Sequence, residues 1–208
     1  MKLTAVIMGG GKGTRMKAAE EKTLILLNGK PIIYYVVEAI RSAKMVKELF
    51  IATSDASPET REYIQKRDLK IINTPGKGFH EDMKHAILTE KITDHVLVVA
   101  GDLPLLTEEL IDKIVDYYTD LEIPSMAVMV PLEIFIKHGL LPSTVFTIEE
   151  RKLVPVGVNI IDGSHIVKKE IDQEIMIVED VRLACNVNTL KDLSIAKNLF
   201  QQLGKLKQ

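Results

Sequence analysis

LTAVIMGGGKGTRM, from Leu3 to Met16, joins a short apolar strand to a glycine-rich basic loop, and the fold is read outward from this stretch. Gly9, Gly10, Gly11 and Gly13 carry no Cβ, so the backbone can turn sharply there and aim successive N–H groups at phosphate oxygens. Lys12 and Arg15 add full charges. The guanidinium offers a planar fork of donors that fits a phosphate bidentately, and a helix starting near Thr14 adds the positive end of its dipole. An ordinary strand-to-helix turn is the plainer use of such a stretch, and the two cations argue against it.

Spacing separates this loop from two familiar phosphate binders. A Walker A loop needs Gly-x-x-x-x-Gly-Lys-Ser/Thr, but Lys12 is followed by Gly13 and the position five before Gly11 is Val6. A dinucleotide fingerprint needs Gly-x-Gly-x-x-Gly, and counting from Gly9 or Gly11 ends on Thr14 or Met16. The stretch reads instead as Gly-Gly-x-x-x-Arg-Met with Lys22 several residues later. This resembles the signature of nucleotidyltransferases that convert an NTP to an NMP-linked product and pyrophosphate.

Composition bounds the rest. A chain of 208 residues fits one large domain or two small ones and buries roughly 70% of its unfolded surface. A formal net charge of −2 argues against a broad nucleic-acid footprint, so the expected polyanion is small. Cys185 is the sole cysteine, which excludes an intramolecular disulfide and a cysteine-based zinc site; it reads as a buried small hydrophobe. The apolar run Leu3 to Met8 is too short for a signal-peptide core or a membrane span, and a soluble cytoplasmic protein is expected.

Strand-like and helix-like patterns alternate through the first half, as in a parallel sheet with crossover helices. Strands are expected at Leu3–Met8, to about Ser54, at Leu69–Asn73, at His95–Ala100 and from Ser125. An Asn28-Gly29 turn leads to a helix entered at Pro31, and Ser57-Pro58-Glu59 reads as a capped helix start. Thr107 caps another helix. Beyond Pro131 the alternation weakens: a hairpin around Glu149 to Lys152, a helix around His165 to Glu170, extended pieces in EIMIVEDV and LACNVN, and an amphipathic helix from Thr189. The expected fold is a Rossmann-like, mostly parallel sheet flanked by helices. Residues 1–130 form its NTP-binding part, 131–188 a smaller β-rich acceptor-side lobe, and 189–208 a C-terminal helix whose apolar face also allows a homodimer.

Ligands of open parallel sheets bind beyond the carboxyl ends of the strands, which makes the polar residues there the candidates. They are Gly9 to Arg15, Thr53 and Ser54, Gly76-Lys77-Gly78, and Gly101-Asp102. Asp102 follows the most hydrophobic strand, with Pro104 stiffening the turn. It offers a hard oxygen ligand for Mg²⁺, an ion that uses one or two carboxylates plus substrate phosphates. A turn or cap role is the alternative for an aspartate after glycine. Lys22 is a point charge on a flexible stem that could reach an α-phosphate, where negative charge builds during displacement.

With loop, lysine and aspartate in place, the chain resembles the small nucleotidyltransferases typified by molybdenum-cofactor guanylyltransferase. PVGVNII (Pro155 to Ile161) and EIMIVEDVRLACNVNTLKDL (Glu174 to Leu193) are similar to the C-terminal half of archaeal-type adenosylcobinamide-phosphate guanylyltransferases, as is KGF with the acidic residues after it. The resemblance spans Leu3 to about Leu199 and implies a nucleotide-diphospho-sugar-transferase-like fold. It implies GTP and adenosylcobinamide phosphate as substrates, Mg²⁺ as cofactor, and Arg15, Lys22 and Asp102 as the catalytic set. Gly157, Asn159, Asn186 and Asn188 map onto its base- or acceptor-side segments. Relatives often have proline after the motif lysine, where Thr23 stands, and the molybdenum branch often has aspartate before it, where Glu21 stands. Transfer of GMP to molybdopterin, or of another NMP to a sugar or alcohol phosphate, is the neighbouring alternative, and a non-catalytic nucleotide-binding module is the alternative of another class.

Overall fold

A computed structural model describes residues 1–11 and 20–205. Ten strands are formed among them: β1 Leu3–Met8, β2 Leu26–Leu27, β3 Lys30–Pro31, β4 Val46–Ser54, β5 Lys70–Thr74, β6 His95–Ala100, β7 Ser125–Pro131, β8 Phe146–Ile148, β9 Arg151–Asp162 and β10 Gln173–Ile177. The helices are α1 Ile32–Ser42, α2 Pro58–Gln65, α3 Phe79–Thr89, α4 Glu108–Thr119, α5 Leu132–His138, α6 Val181–Ala184 and α7 Leu190–Lys205. Eight strands build one sheet in the order β10-β7-β9-β6-β1-β4-β5, with β8 paired to β9.

The strands β1, β4, β5 and β6 pair in parallel, as their near-continuous aliphatic runs require of a sheet covered on both faces. From β1 the chain steps outward to β4 and β5, then crosses back to lay β6 on the other side of β1. Between β1 and β6 the strand order reverses, and at such a switch point the loops after two neighbouring strands diverge and leave a crevice. Ile7, Ile33, Ile40, Leu97, Val99 and Leu103 are fully buried in the main core, while Val6, Val96 and Val98 serve a second core on the other face.

The strands of the second half join the same sheet. Residues 131–188 have no sheet of their own: β9 runs antiparallel between β6 and β7, and β10 extends the same sheet parallel to β7. The hairpin is present, with Glu149 and Glu150 in left-handed conformations at its turn. Three local expectations are corrected. In place of a helix at His165–Glu170 there is only a 3₁₀ turn, Gly163–His165, because Asp162 caps Ser164 and no apolar face follows to hold a longer helix. LACNVN is not extended; its first two residues end α6, which Asp180 caps by accepting from the Arg182 N–H at 2.9 Å. Ser57 precedes α2, but its hydroxyl bonds Ser54 instead of the helix. Finally, α5 appears where no helix was expected, closed by left-handed Gly139.

Candidate active site

A cleft of about 760 Å³ opens at the switch point. Gly10 and Gly11 line it from the end of β1, Gly101 and Asp102 from the end of β6, and Gly76, Lys77 and Gly78 from the end of β5. Gly157 and Asn159 of β9, with Asn186 and Asn188, form the opposite wall. The glycine loop, the strand-end aspartate and the C-terminal asparagines therefore meet in one site. Lys12, Gly13, Thr14 and Arg15 lie outside the described residues.

Backbone bonds knit the strand ends together. Gly9 N–H donates to Ala52 O at 2.8 Å and Gly101 N–H to Met8 O at 3.0 Å. Ser54 and Thr53, expected as nucleotide contacts, are buried and are not among the residues that line the cleft. The Ser54 hydroxyl donates to Gly10 O at 2.8 Å and braces the loop from below, while Thr53 is fully buried and its carbonyl accepts from the Thr74 hydroxyl. Gly76 has φ of +69°, and a Cβ there would stand 3.2 Å from Ser54 Cβ, so the loop needs glycine at that turn.

Lys22 leaves a 3₁₀ turn, Lys22–Leu24, and its ammonium donates to the Asp102 carboxylate and to Asn188 Oδ1, the latter at 2.6 Å. Asn186 Nδ2 donates to Asp102 Oδ1 at 3.1 Å and to Val156 O at 3.3 Å, and the backbone of Val187 bonds Asp102 O at 3.0 Å. Asp102 and Lys22 are thus a largely enclosed ion pair with an amide on each member. An ammonium has three donors, and among the described residues two of them are used. Gly157 has φ of +75° and a Cβ there would come within 2.7 Å of Ala100 Cβ; the glycine lets β9 lie close against the end of β6.

Residues with no earlier assignment complete the wall. Ser143 and Thr144 line it, as do Thr23, Phe79 and His80. Asp82, buried in the first turn of α3, accepts from Lys77 N–H at 3.2 Å and fixes the Gly-Lys-Gly turn. Acidic residues just inside a helix start were the available signal for that contact. Cys185 is fully buried behind the site, and burial, with the Asp192 and Asp102 carboxylates, pushes its thiol up to about 12. Iodoacetamide at pH 8 is therefore expected to leave it unmodified until the protein is denatured, read by intact mass.

Among the described residues no group of three or more His, Cys, Asp or Glu could hold a metal ion. Two carboxylates line the cleft: Asp82, which accepts from Lys77 N–H, and Asp102, whose Oδ1 accepts from the Asn186 amide. Such a set fits a cation brought in by a phosphate ligand, not a resident protein cage. No described helix is long and apolar enough to cross a membrane.

Known proteins resemble the chain along most of its length. Residues 5–144 match the MobA-like NTP transferase domain. The chain is 37% identical over 212 residues to the adenosylcobinamide-phosphate guanylyltransferase of Methanocaldococcus jannaschii, covering 97% of this chain and 100% of that one. It is 28% identical over 119 residues to the 2-C-methyl-D-erythritol 4-phosphate cytidylyltransferase of Clostridium botulinum, 55% of this chain and 53% of the relative. The structure of a CMP:2-keto-3-deoxy-manno-octonic acid synthetase complexed with CTP shares the fold, with TM-score 0.74 at 17% identity, over 97% of this chain and 99% of that one.

Proposed function

The chain belongs to the MobA-like NTP transferase family and is a nucleotidyltransferase; from that premise we propose that it transfers GMP from GTP to adenosylcobinamide phosphate, releasing pyrophosphate. The end-to-end likeness to a guanylyltransferase of that acceptor carries the reading. The cleft supports it by facing Lys22 and Asp102 with the segments around Gly157 and Asn186.

In this reading an oxygen of the acceptor phosphate attacks the α-phosphorus of GTP, the bond to the β-phosphate oxygen breaks in line, and pyrophosphate leaves. Little covalent chemistry falls to the protein; it positions groups and neutralises charge. Gly9 to Gly13, with Lys12, Thr14 and Arg15, hold the departing phosphates. Lys22 turns its ammonium to the α-phosphate, and Asn188 keeps the stem aimed there. Gly76-Lys77-Gly78 closes on the nucleotide from the β5 side. Asp102, oriented by Asn186, holds Mg²⁺ together with the substrate phosphates. When bound, that ion would offset the negative charge that develops on the phosphates during displacement.

The test is pyrophosphate release from GTP, ATP, CTP and UTP, each paired with adenosylcobinamide phosphate or molybdopterin. Release with GTP and the cobinamide is expected; release with molybdopterin instead moves the acceptor to the molybdenum branch, and none with any pair favours a non-catalytic module. Asp102→Asn is expected to lower turnover by about 10²-fold or more and to flatten its magnesium dependence. Turnover and magnesium response like the wild type's would remove the metal from Asp102.

A further inference from the structure

We propose that Thr60 of α2 is a positioning residue for Lys22, acting through the side chains on either side of that lysine. The proposal rests on the nucleotidyl-transfer reading above. Lys22 sits in a 3₁₀ turn with no side-chain cap, whose backbone bond Leu24 N–H to Glu21 O spans one turn only. So short an element does not fix the direction of a long side chain by itself.

Both neighbours of Lys22 are tied to the start of α2. Glu21 Oε1 accepts from Glu59 N–H and Oε2 from Thr60 N–H, each at 2.8 Å. The Thr60 hydroxyl also bonds Glu21 Oε2, and Thr23 Oγ1 lies 2.7 Å from Thr60 Oγ1. Proton directions follow from the chemistry. A carboxylate only accepts, so Thr60 donates to Glu21 and Thr23 donates to Thr60. The resulting chain runs from Thr23 through Thr60 to Glu21 and brackets Lys22. Its far end is firm: Thr60 is fully buried, α2 packs on β4 and β5, and its unsatisfied N–H groups and dipole favour the Glu21 carboxylate.

Thr60 is absent from the cleft wall, so it meets no substrate directly. Its influence passes through the backbone of Lys22, whose ammonium must serve Asp102, Asn188 and an incoming phosphate. Catalytic groups held to within a fraction of an ångström rely on such supporting bonds, and a misplacement of about 1 Å can cost about 10²-fold in rate.

Thr60→Val keeps the shape and removes the hydroxyl. The kcat for pyrophosphate release is expected to fall about tenfold or more with KM for GTP within about threefold, and Thr60→Ser is expected to restore most of it. In a Lys22→Ala background Thr60→Val should add nothing, because the residue it positions is gone. A readout independent of turnover is the labelling of Lys22 by pyridoxal phosphate and borohydride, measured by mass spectrometry against Lys47. Faster Lys22 labelling is expected in Thr60→Val. If Thr60→Val fails to fold, Glu21→Gln is measured in the same way, since it withdraws the Oε2 acceptor. A wild-type protein that releases no pyrophosphate sinks the functional reading and leaves the labelling to decide on Thr60. Unchanged Lys22 labelling, or a Thr60→Val loss as large without Lys22 as with it, overturns the proposal.

Discussion

Lys22→Ala is expected to lower pyrophosphate release about 10²–10³-fold, or about 2.7–4 kcal/mol of barrier, with the fold retained. The size follows from where the charge acts. During displacement at the α-phosphorus, charge spreads over the equatorial oxygens, and a cation held in a partly dry cleft is worth more there than in water. Folding should suffer less than turnover. The pair is largely enclosed, with 18% of the Lys22 and 12% of the Asp102 side chain exposed, but it lies on a cleft wall that water reaches. Without the lysine, Asp102 keeps the Asn186 amide as a donor. Lys22→Arg should recover little, because a planar fork does not replace a compact ammonium seated between a carboxylate and an amide oxygen. Steady-state kinetics beside thermal melts check both parts; turnover like the wild type's in Lys22→Ala would end the α-phosphate assignment.

Gly157→Ala is expected to have the largest effect on stability of any single methyl added at the site, about 2–4 kcal/mol by urea unfolding. Two costs coincide. With φ of +75° the position is left-handed, a conformation that Cβ disfavours by about 1–2 kcal/mol, and the new methyl would stand 2.7 Å from Ala100 Cβ on the adjoining strand. Relief requires β9 to move away from β6. Val156 O accepts from Asn186, which also holds Asp102, so that movement reaches the carboxylate and activity should fall with stability. An unchanged urea midpoint would mean that β9 and β6 are not in contact as described.

The parallel half of the sheet was legible because each of its strands is an aliphatic run ended by glycine or polar residues. Leu3–Met8 and His95–Ala100 match the structure to the residue. The second half was less so. LEIFIKH gives a period that suits strand as well as helix, and only Gly139 marks its end, so α5 went unseen. At the site, chain position was readable and pairing was not. Lys22 meets Asn188 across 166 residues and Asn186 meets Asp102 across 84, and no local pattern records such contacts. The resemblance maps these asparagines onto base- or acceptor-side segments, and in the structure their side chains bond the lysine and the aspartate. The role of Glu21 was not legible either, since its partners at the start of α2 are 38 and 39 residues away.

The insertion of β9 between β6 and β7 has a consequence for how the chain becomes a protein. Translation delivers β1, β4, β5, β6 and β7 before β9 exists, and β7 borders only β9 and β10. Until residues 151–162 arrive, β6 presents an open edge and β7 has no neighbour to join. The first half of the chain is therefore an incomplete sheet awaiting its keystone, prone to edge-to-edge association in the interval. Closure must draw together segments far apart in sequence, which makes late strand insertion the slow step expected of folding. The strand that brings Gly157 and Asn159 to the cleft is then also the one that ends the nascent chain's exposure, so a finished cleft and a finished fold arrive together.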